Sequence, residues 1–311
     1  MITVILTAYK EEKTISKALK FIADPTCSGY TDQIHLIQIS PDKQTLSTAT
    51  NFIKSVHNPN LKFEQIKDPG KSKPNALNMA LEKTNSDLVI LTDGDVSFAK
   101  NALKILVSDF KQNNYDLAGG RPVSTNERSE FMGYISHLMT TAAHDKRIKE
   151  LNADHKFFPL SGYMLILNKK KFETKTGEKL RIPDDCLVDD AYISYKYFNN
   201  GFKLGYIPEA KVKVKFPTTL GDYFKQKKRS TGGYLQLWKY NIVTKDTNSR
   251  SIWQELKYFF FPLKFAKKPI EFFYSLIFYP VRLYLWAVMW FERKLRNKAF
   301  SQTWVRVEST K

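Results

Sequence analysis

Asp87-Leu88-Val89-Ile90-Leu91-Thr92-Asp93-Gly94-Asp95 runs from a short apolar stretch straight into two carboxylates. A few consecutive apolar residues between polar ones predict a short strand buried on both faces, as in a parallel sheet. On extended backbone, side chains at i and i+2 point the same way, so Asp93 and Asp95 share a face. Gly94 lets the main chain approach a ligand closely. Two hard oxygen donors facing one way suit Mg²⁺ or Mn²⁺ bridging a diphosphate. The tripeptide also serves as a polar turn after a strand, so both readings stay open at this point.

The same pattern repeats on either side. Residues 2–8 predict a strand, 9–12 a loop and 14–23 a helix. Residues 34–39 predict a second strand ending at Ser40-Pro41-Asp42, followed by a helix over 46–56 and a weaker strand over 61–66. A helix over 74–83 opens with Pro74, where a missing N–H costs nothing. Another helix is expected over 100–113. Strands alternating with helices define an α/β domain with a Rossmann-like sheet flanked by helices. Ligands in such sheets bind beyond the carboxyl ends of the strands. Further on, 162–167 and 204–207 read as strands and 189–199 as a helix closed by Asn199-Asn200-Gly201.

Composition narrows the class. The 311 residues carry a net charge of +18, with 42% hydrophobic and 14% aromatic residues. That supports a sizeable core and excludes disordered or collagen-like chains. Two cysteines exclude a disulfide scaffold or a Cys-based zinc site. The excess charge suits nucleic acid, an anionic membrane or a phosphate-bearing ligand. No basic segment precedes the apolar start at Ile2, so a signal peptide is not expected and the catalytic body is placed in the cytosol.

Three further clusters stand out. Gly70-Lys71-Ser72 hints at a phosphate-binding P-loop, but that motif needs Gly at position 65, which is Gln65. A basic loop entering a helix N-terminus remains, either a nucleotide contact or a solvated turn. Asp189-Asp190 opens a predicted helix, where the helix dipole favours acids; one of them could equally be a general base. Gln226-Lys227-Lys228-Arg229 reads as a solvated basic helix or as a cationic clamp on a departing phosphate.

Taken in order, these pieces resemble the family-2 inverting glycosyltransferases with a GT-A fold, including the cellulose, chitin and hyaluronan synthase branch. The likeness covers roughly residues 1–240. It implies a nucleotide-sugar donor, UDP-linked, and a glycan or lipid-linked acceptor. Thr7, Ala8, Tyr9, Glu11 and Asp42 would line the nucleotide pocket, with Lys71 and Asn78 beside it. Asp93 and Asp95 match the Asp-x-Asp that positions diphosphate and metal, Mg²⁺ or Mn²⁺. Asp189 and Asp190 match the catalytic acid pair, with Asp190 as base; Gln226 and Arg229 match a Gln-x-x-Arg-Trp element. Gly120, Arg121, Ser161 and Gly162 are expected at the acceptor. Lys10 stands where Asn is common, and Ser40-Pro41-Asp42 where Asp-Asp-Gly is usual. Ser230 replaces the Trp after the Arg, which favours transfer of a single sugar over polymerisation.

From about Ser251 the composition turns aromatic and basic, with eleven Lys or Arg against four Asp or Glu. A boundary is expected in Thr244–Ser249, dividing a catalytic domain at 1–245 (a nucleotide half at 1–100, an acceptor half at 101–245) from a segment at 246–311. Residues 270–291 have the length of a membrane span, but Arg282 and Pro280 interrupt it. Basic residues on both sides suit a bent helix pair lying on an anionic, cytoplasmic membrane face; a span or a helical cap are the alternatives. Rival functions are a haloacid-dehalogenase-like phosphatase using Asp93 and Asp95, which should open on that motif, and a basic nucleic-acid-binding protein, for which no motif is present. No nucleic-acid partner is expected.

Overall fold

A computed structural model describes residues 1–154, 156–244, 247, 258–295 and 310, and of residues 289 and 292–295 the backbone alone. The first half holds four parallel strands, β1 (Ile2–Thr7), β2 (Ile34–Ser40), β3 (Leu61–Lys67) and β4 (Leu88–Asp93). Helices α1 (Ile15–Ala23), α2 (Pro25–Ser28), α3 (Lys43–Lys54) and α4 (Lys73–Glu82) connect them. β1 and β2 are buried along their whole length, as expected of central strands in a parallel sheet, with the polar His35 and Gln38 of β2 buried as well. Thr7 pairs with Ile39 on one side and Asp93 on the other. The loops after β1, β2, β3 and β4 therefore emerge along one edge of the sheet.

The second half continues with β5 (Ser97–Phe98), α5 (Ala102–Gln112), β6 (Leu117–Ser124) and α6 (Phe131–Arg147), the last extended by a π-helical turn at Ile148–Ala153. β7 (Met164–Asn168), α7 (Lys169–Thr176), α8 (Asp189–Asn199), β8 (Leu204–Val214) and α9 (Leu220–Lys239) follow. β7 pairs antiparallel with β4 and completes a mixed sheet in the order β3-β2-β1-β4-β7-β6-β8-β5. Gly119, Gly120 and Arg121 lie inside β6, at a bulge against β8. A Cβ on Gly120 would sit 2.5 Å from the Ala210 carbonyl oxygen, so only glycine admits this approach.

The C-terminal segment packs on α6. Its helix Pro269–Leu295 buries Phe278 and Leu285 against Met132, Tyr134, Ile135 and Leu138. Arg128 Nε donates to Glu271 Oε1 (2.7 Å), Arg128 Nη2 to Glu271 Oε2 (3.0 Å), and Tyr134 Oη meets Ser275 Oγ at 2.7 Å. A correction follows: Pro280 does not split the segment into two helices. It lies inside one 27-residue helix, on the exposed side. Among the described residues no helix is long and apolar enough to cross a membrane. The domain boundary falls where only Thr244 and Thr247 are described; Arg296 and Lys298 lie outside the described residues.

The Arg128 hydrogen bond, with help from the Lys267 N–H and against the effect of burial, holds the Glu271 carboxyl at about 2, below its ordinary 4.5. A depressed carboxyl stabilises the fold above its unfolded value and loses that contribution as pH falls through the folded one. The helix should loosen from α6 as pH drops from 4.5 towards 2. Glu271→Gln should cost about 2–3 kcal/mol at neutral pH. Thermal melts and amide exchange over 269–285 measure both effects.

Candidate active site

The acidic cluster forms where β1 and β4 end side by side. Thr7 Oγ1 donates to Asp93 Oδ1 at 2.9 Å, tying the two strand ends together. Gly94 follows so closely on β1 that a Cβ there would lie 2.8 Å from the Ala8 Cβ. Asp95 lies half-buried beside Asp93. Burial, then the Asp93 charge, raise its carboxyl to about 6, although Lys73 and Arg229 pull the other way.

The lysine in this cluster is Lys73, which the sequence reading did not single out. Lys71 is exposed on the loop. Lys73 opens α4 and reaches Asp93 Oδ1 at 2.8 Å and Asp189 Oδ2 at 3.5 Å. Burial alone would lower its pKa, but Asp189, Asp93 and Asp190 together hold it above the ordinary lysine value. The sequence held a signal for this. Lys73 stands on the same helical stripe as buried Ala76, Leu77, Ala80 and Leu81, at i+3, i+4, i+7 and i+8. Asn78 on α4 anchors a neighbouring stretch of the chain. Its amide donates to the Ile182 carbonyl (2.7 Å), and its Oδ1 accepts from the Ile182 N–H (2.9 Å), so it clamps the loop before α8.

That clamp sets the position of Asp189 and Asp190 in the first turn of α8, whose positive dipole end favours them. The two acids point to different partners. Asp189 turns to Lys73, and burial, ahead of its acidic neighbours, raises its carboxyl. Asp190 Oδ2 accepts from the Gly162 N–H (3.0 Å) and its Oδ1 from the Ala191 N–H (2.8 Å). A Cβ on Gly162 would lie 3.1 Å from the Asp190 Cβ. Gly162→Ala should therefore displace Asp190 by a few tenths of an ångström and lower kcat about tenfold, with little change in donor affinity. Steady-state kinetics beside nucleotide titration separate the two effects.

Opposite these acids lie Tyr163 and α9. The Tyr163 carbonyl accepts from Thr92 Oγ1 at 2.7 Å, and burial with Asp95 and Asp93 raises its phenol pKa. Arg229 is exposed on α9 yet close enough to act on both Asp95 and Tyr163. Gln226 lies one turn earlier on the same helix, half-buried.

Along the same edge, Tyr9 and Glu11 follow β1 and Asp42 follows β2. The Glu11 N–H donates to Thr45 Oγ1 at 2.9 Å, and Asp42 caps α3 by accepting from the Thr45 N–H at 3.0 Å. Burial works against the Asp42 charge, but the hydroxyl and amide of Thr45 outweigh it and lower its pKa. Lys10 folds its ammonium over the Tyr9 ring, 5.5 Å from the centroid. Sequence reasoning overlooked Asp68 at the end of β3. It is buried, its Oδ1 accepts from the Gly70 N–H (2.6 Å), and its Oδ2 has no hydrogen-bond partner among the described residues.

The expected acceptor residues divide. Ser161 and Gly162 border the acid pair, and Gly120 sits at the β6 bulge beside Met164. Arg121 lies further along β6, where its charge acts on His144, Tyr206 and Glu209. The structure thus brings Thr7, Asp93, Asp95, Asp189, Asp190, Gly162 and Arg229 to one cleft and adds Lys73 to them.

The sequence model of the family described as "Glycosyltransferase like family 2" matches residues 1–233. The chain belongs to this family of glycosyltransferases, and its sheet is that of the GT-A fold. It is 23% identical over 246 residues to the poly-beta-1,6-N-acetyl-D-glucosamine synthase of Staphylococcus aureus (strain COL), covering 75% of this chain and 54% of that protein. It is 22% identical over 239 residues to an N-acetylglucosaminyltransferase of Neorhizobium galegae, covering 73% and 53%. The chain spans about half the length of the curated relatives it matches. Among solved structures, the mannosyltransferase PcManGT of Pyrobaculum calidifontis, in complex with GDP-Man and Mn²⁺, aligns with a TM-score of 0.57 at 16% identity, over 97% of this chain and 83% of that one. Staphylococcus aureus TarS 1–349 in complex with UDP-GlcNAc aligns with a TM-score of 0.52 at 14% identity, over 85% and 80%.

Proposed function

We propose that this chain transfers one sugar from a UDP-sugar to a hydroxyl of a glycan or lipid-linked acceptor, with inversion at the anomeric carbon. The observation that carries the reading is the convergence of Asp93, Asp95, Asp190, Lys73 and Arg229 on one cleft at the C-terminal edge of the sheet. N-acetylglucosamine is the first sugar to test, because both curated relatives are named for it.

Asp190 takes the proton of the acceptor hydroxyl as its oxygen bonds to the anomeric carbon and the bond to the diphosphate breaks. The Gly162 and Ala191 N–H groups fix the orientation of that carboxylate. Arg229 and Lys73 offset the charge that builds on the leaving phosphate. A hydrolase would use two flanking carboxyl groups; here Asp189 is held to Lys73, leaving Asp190 as the single base. Asp68 supplies a buried acceptor for an N–H of the nucleotide base.

The donor set fits a divalent cation. Asp93 and Asp95 are neighbouring carboxylates; burial first, and the Asp93 charge second, raise the Asp95 carboxyl, and a cation bound there would offset both. Among the described residues no three or more His, Cys, Asp or Glu side chains form a complete cage. Mg²⁺ is commonly held by one or two carboxylates plus substrate phosphates. Bound there, it would polarise the diphosphate as a Lewis acid. EDTA should stop turnover, and Mg²⁺ or Mn²⁺ should restore it.

The deciding experiment is a nucleotide-sugar panel with glycan and lipid-linked acceptors, reading released nucleoside diphosphate and glycosylated product. UDP release coupled to product supports the reading. Phosphate release from simple phosphoesters without sugar transfer would overturn it.

A further inference from the structure

We propose that the outer face of the helix Pro269–Leu295 docks on the surface of an anionic lipid leaflet. Every described exposed residue of this helix from 269 to 291 is apolar or aromatic. Ile270, Phe273, Leu276, Leu283 and Phe291 are 46–67% exposed. At 100° per residue they fall on one side, while Glu271, Ser275, Phe278 and Leu285 face α6 on the other. The stripe is roughly 33 Å long at 1.5 Å per residue. Phe260, 64% exposed, adds to the apolar surface beside the middle of the helix, where its ring packs on Phe259 and Phe259 stacks on Tyr279. A helix on a protein surface in water normally turns its charged face outward. This one does the reverse, and a continuous apolar stripe of such length marks an interaction surface.

Charge identifies the occupant. Lys264, Lys267 and Lys268 are exposed where the stripe begins. Glu271, the acid nearest to them on the helix, is buried in its pair with Arg128 and offers them no opposing charge at the surface. Aromatic and apolar residues flanked by lysines complement the boundary between acyl chains and anionic headgroups. An isologous contact between two copies would instead bring like charges into one interface. The helix is also tied to the catalytic body. The Tyr284 ring packs on Phe224 of α9 (centroids 5.4 Å apart), five residues before Arg229. Docking would thus hold the α9 side of the cleft near the lipid surface, where a lipid-linked acceptor resides. That last step rests on the proposed function; the docking itself does not.

Flotation of the full chain with vesicles of phosphatidylcholine and phosphatidylglycerol in equal parts, against phosphatidylcholine alone, tests the proposal. Flotation with the anionic vesicles only is expected. The double variant Phe273→Glu/Leu283→Glu should abolish it with an unchanged melting temperature, since both positions are exposed. Each of Lys264, Lys267 and Lys268 changed to Gln should weaken partitioning roughly fivefold. No flotation, or flotation that the double variant leaves intact, would overturn the proposal. So would a concentration-dependent dimer that the same variant dissolves while vesicle binding is absent. None of these readouts needs transferase activity, so a failed sugar-transfer assay leaves the docking result standing.

Discussion

Asp190→Asn is expected to lower kcat by about 10²–10⁴ while leaving the affinity for UDP and the UDP-sugar unchanged. The carboxylate is replaced by a group of the same shape that cannot take a proton at neutral pH. Its position is set by two main-chain donors, Gly162 N–H on Oδ2 and Ala191 N–H on Oδ1. The amide oxygen can keep one of these bonds; the other is lost, at a cost of roughly 1–3 kcal/mol in stability. The fold should survive that change, because the Ile182 clamp on Asn78 and the α8 core contacts are untouched. Single-turnover transfer, isothermal titration with UDP and a thermal melt distinguish the outcomes. Near-normal transfer would remove Asp190 from the base role. Lost nucleotide binding would make it a positioning group for the donor. Asp189→Asn offers a contrast, because Asp189 faces Lys73 and its loss should act on stability as well as rate.

Much of the fold was legible because local pattern and final environment agree in the first half. The strands at 2–8, 34–39 and 87–92 are dominated by apolar and β-branched residues, and each ends within a residue or two of its expected place. The second half was harder to read. β6 carries Gly119, Gly120 and Pro122, residues that signal turns, and owes its place to pairing with β7 and β8. α6, only weakly amphipathic along its length, is set by Tyr134 and Ser136 reaching partners elsewhere in the chain. The acids of the site could be read because a carboxylate at a strand end or a helix N-terminus has local meaning. Lys73 and Asp68 could not be read that way. Each acts through groups that only the tertiary fold brings near, Asp189 for the one and the burial at the end of β3 for the other.

The contrast between the two lysines gives the second large effect. Lys73→Met should lower turnover by about 10²–10³ and reduce stability by roughly 2–4 kcal/mol, whereas Lys71→Ala should change neither by more than a small factor. Lys73 lies among three carboxylates, with 22% of its side chain still accessible, which places the expected cost between that of an exposed and a wholly buried pair. Methionine fills the same space without the charge. Asp93 then loses the donor at 2.8 Å, and Asp189 loses the cation that offsets its burial. Asp189, already raised by burial, should be driven further towards protonation, so the variant should bind protons on folding and be relatively more stable as pH falls from neutrality. The sign follows from linkage: a carboxyl raised in the folded state makes the fold bind more protons than the unfolded chain, and stability drops as pH rises through the raised value. Melting curves from pH 5 to pH 8 for both variants, beside donor titration with and without Mg²⁺, read all three consequences. If Lys71→Ala proved the damaging change and Lys73→Met the mild one, the lysine facing the diphosphate would be the exposed one, and the arrangement of Asp93 and Asp189 around Lys73 would have to serve the fold alone.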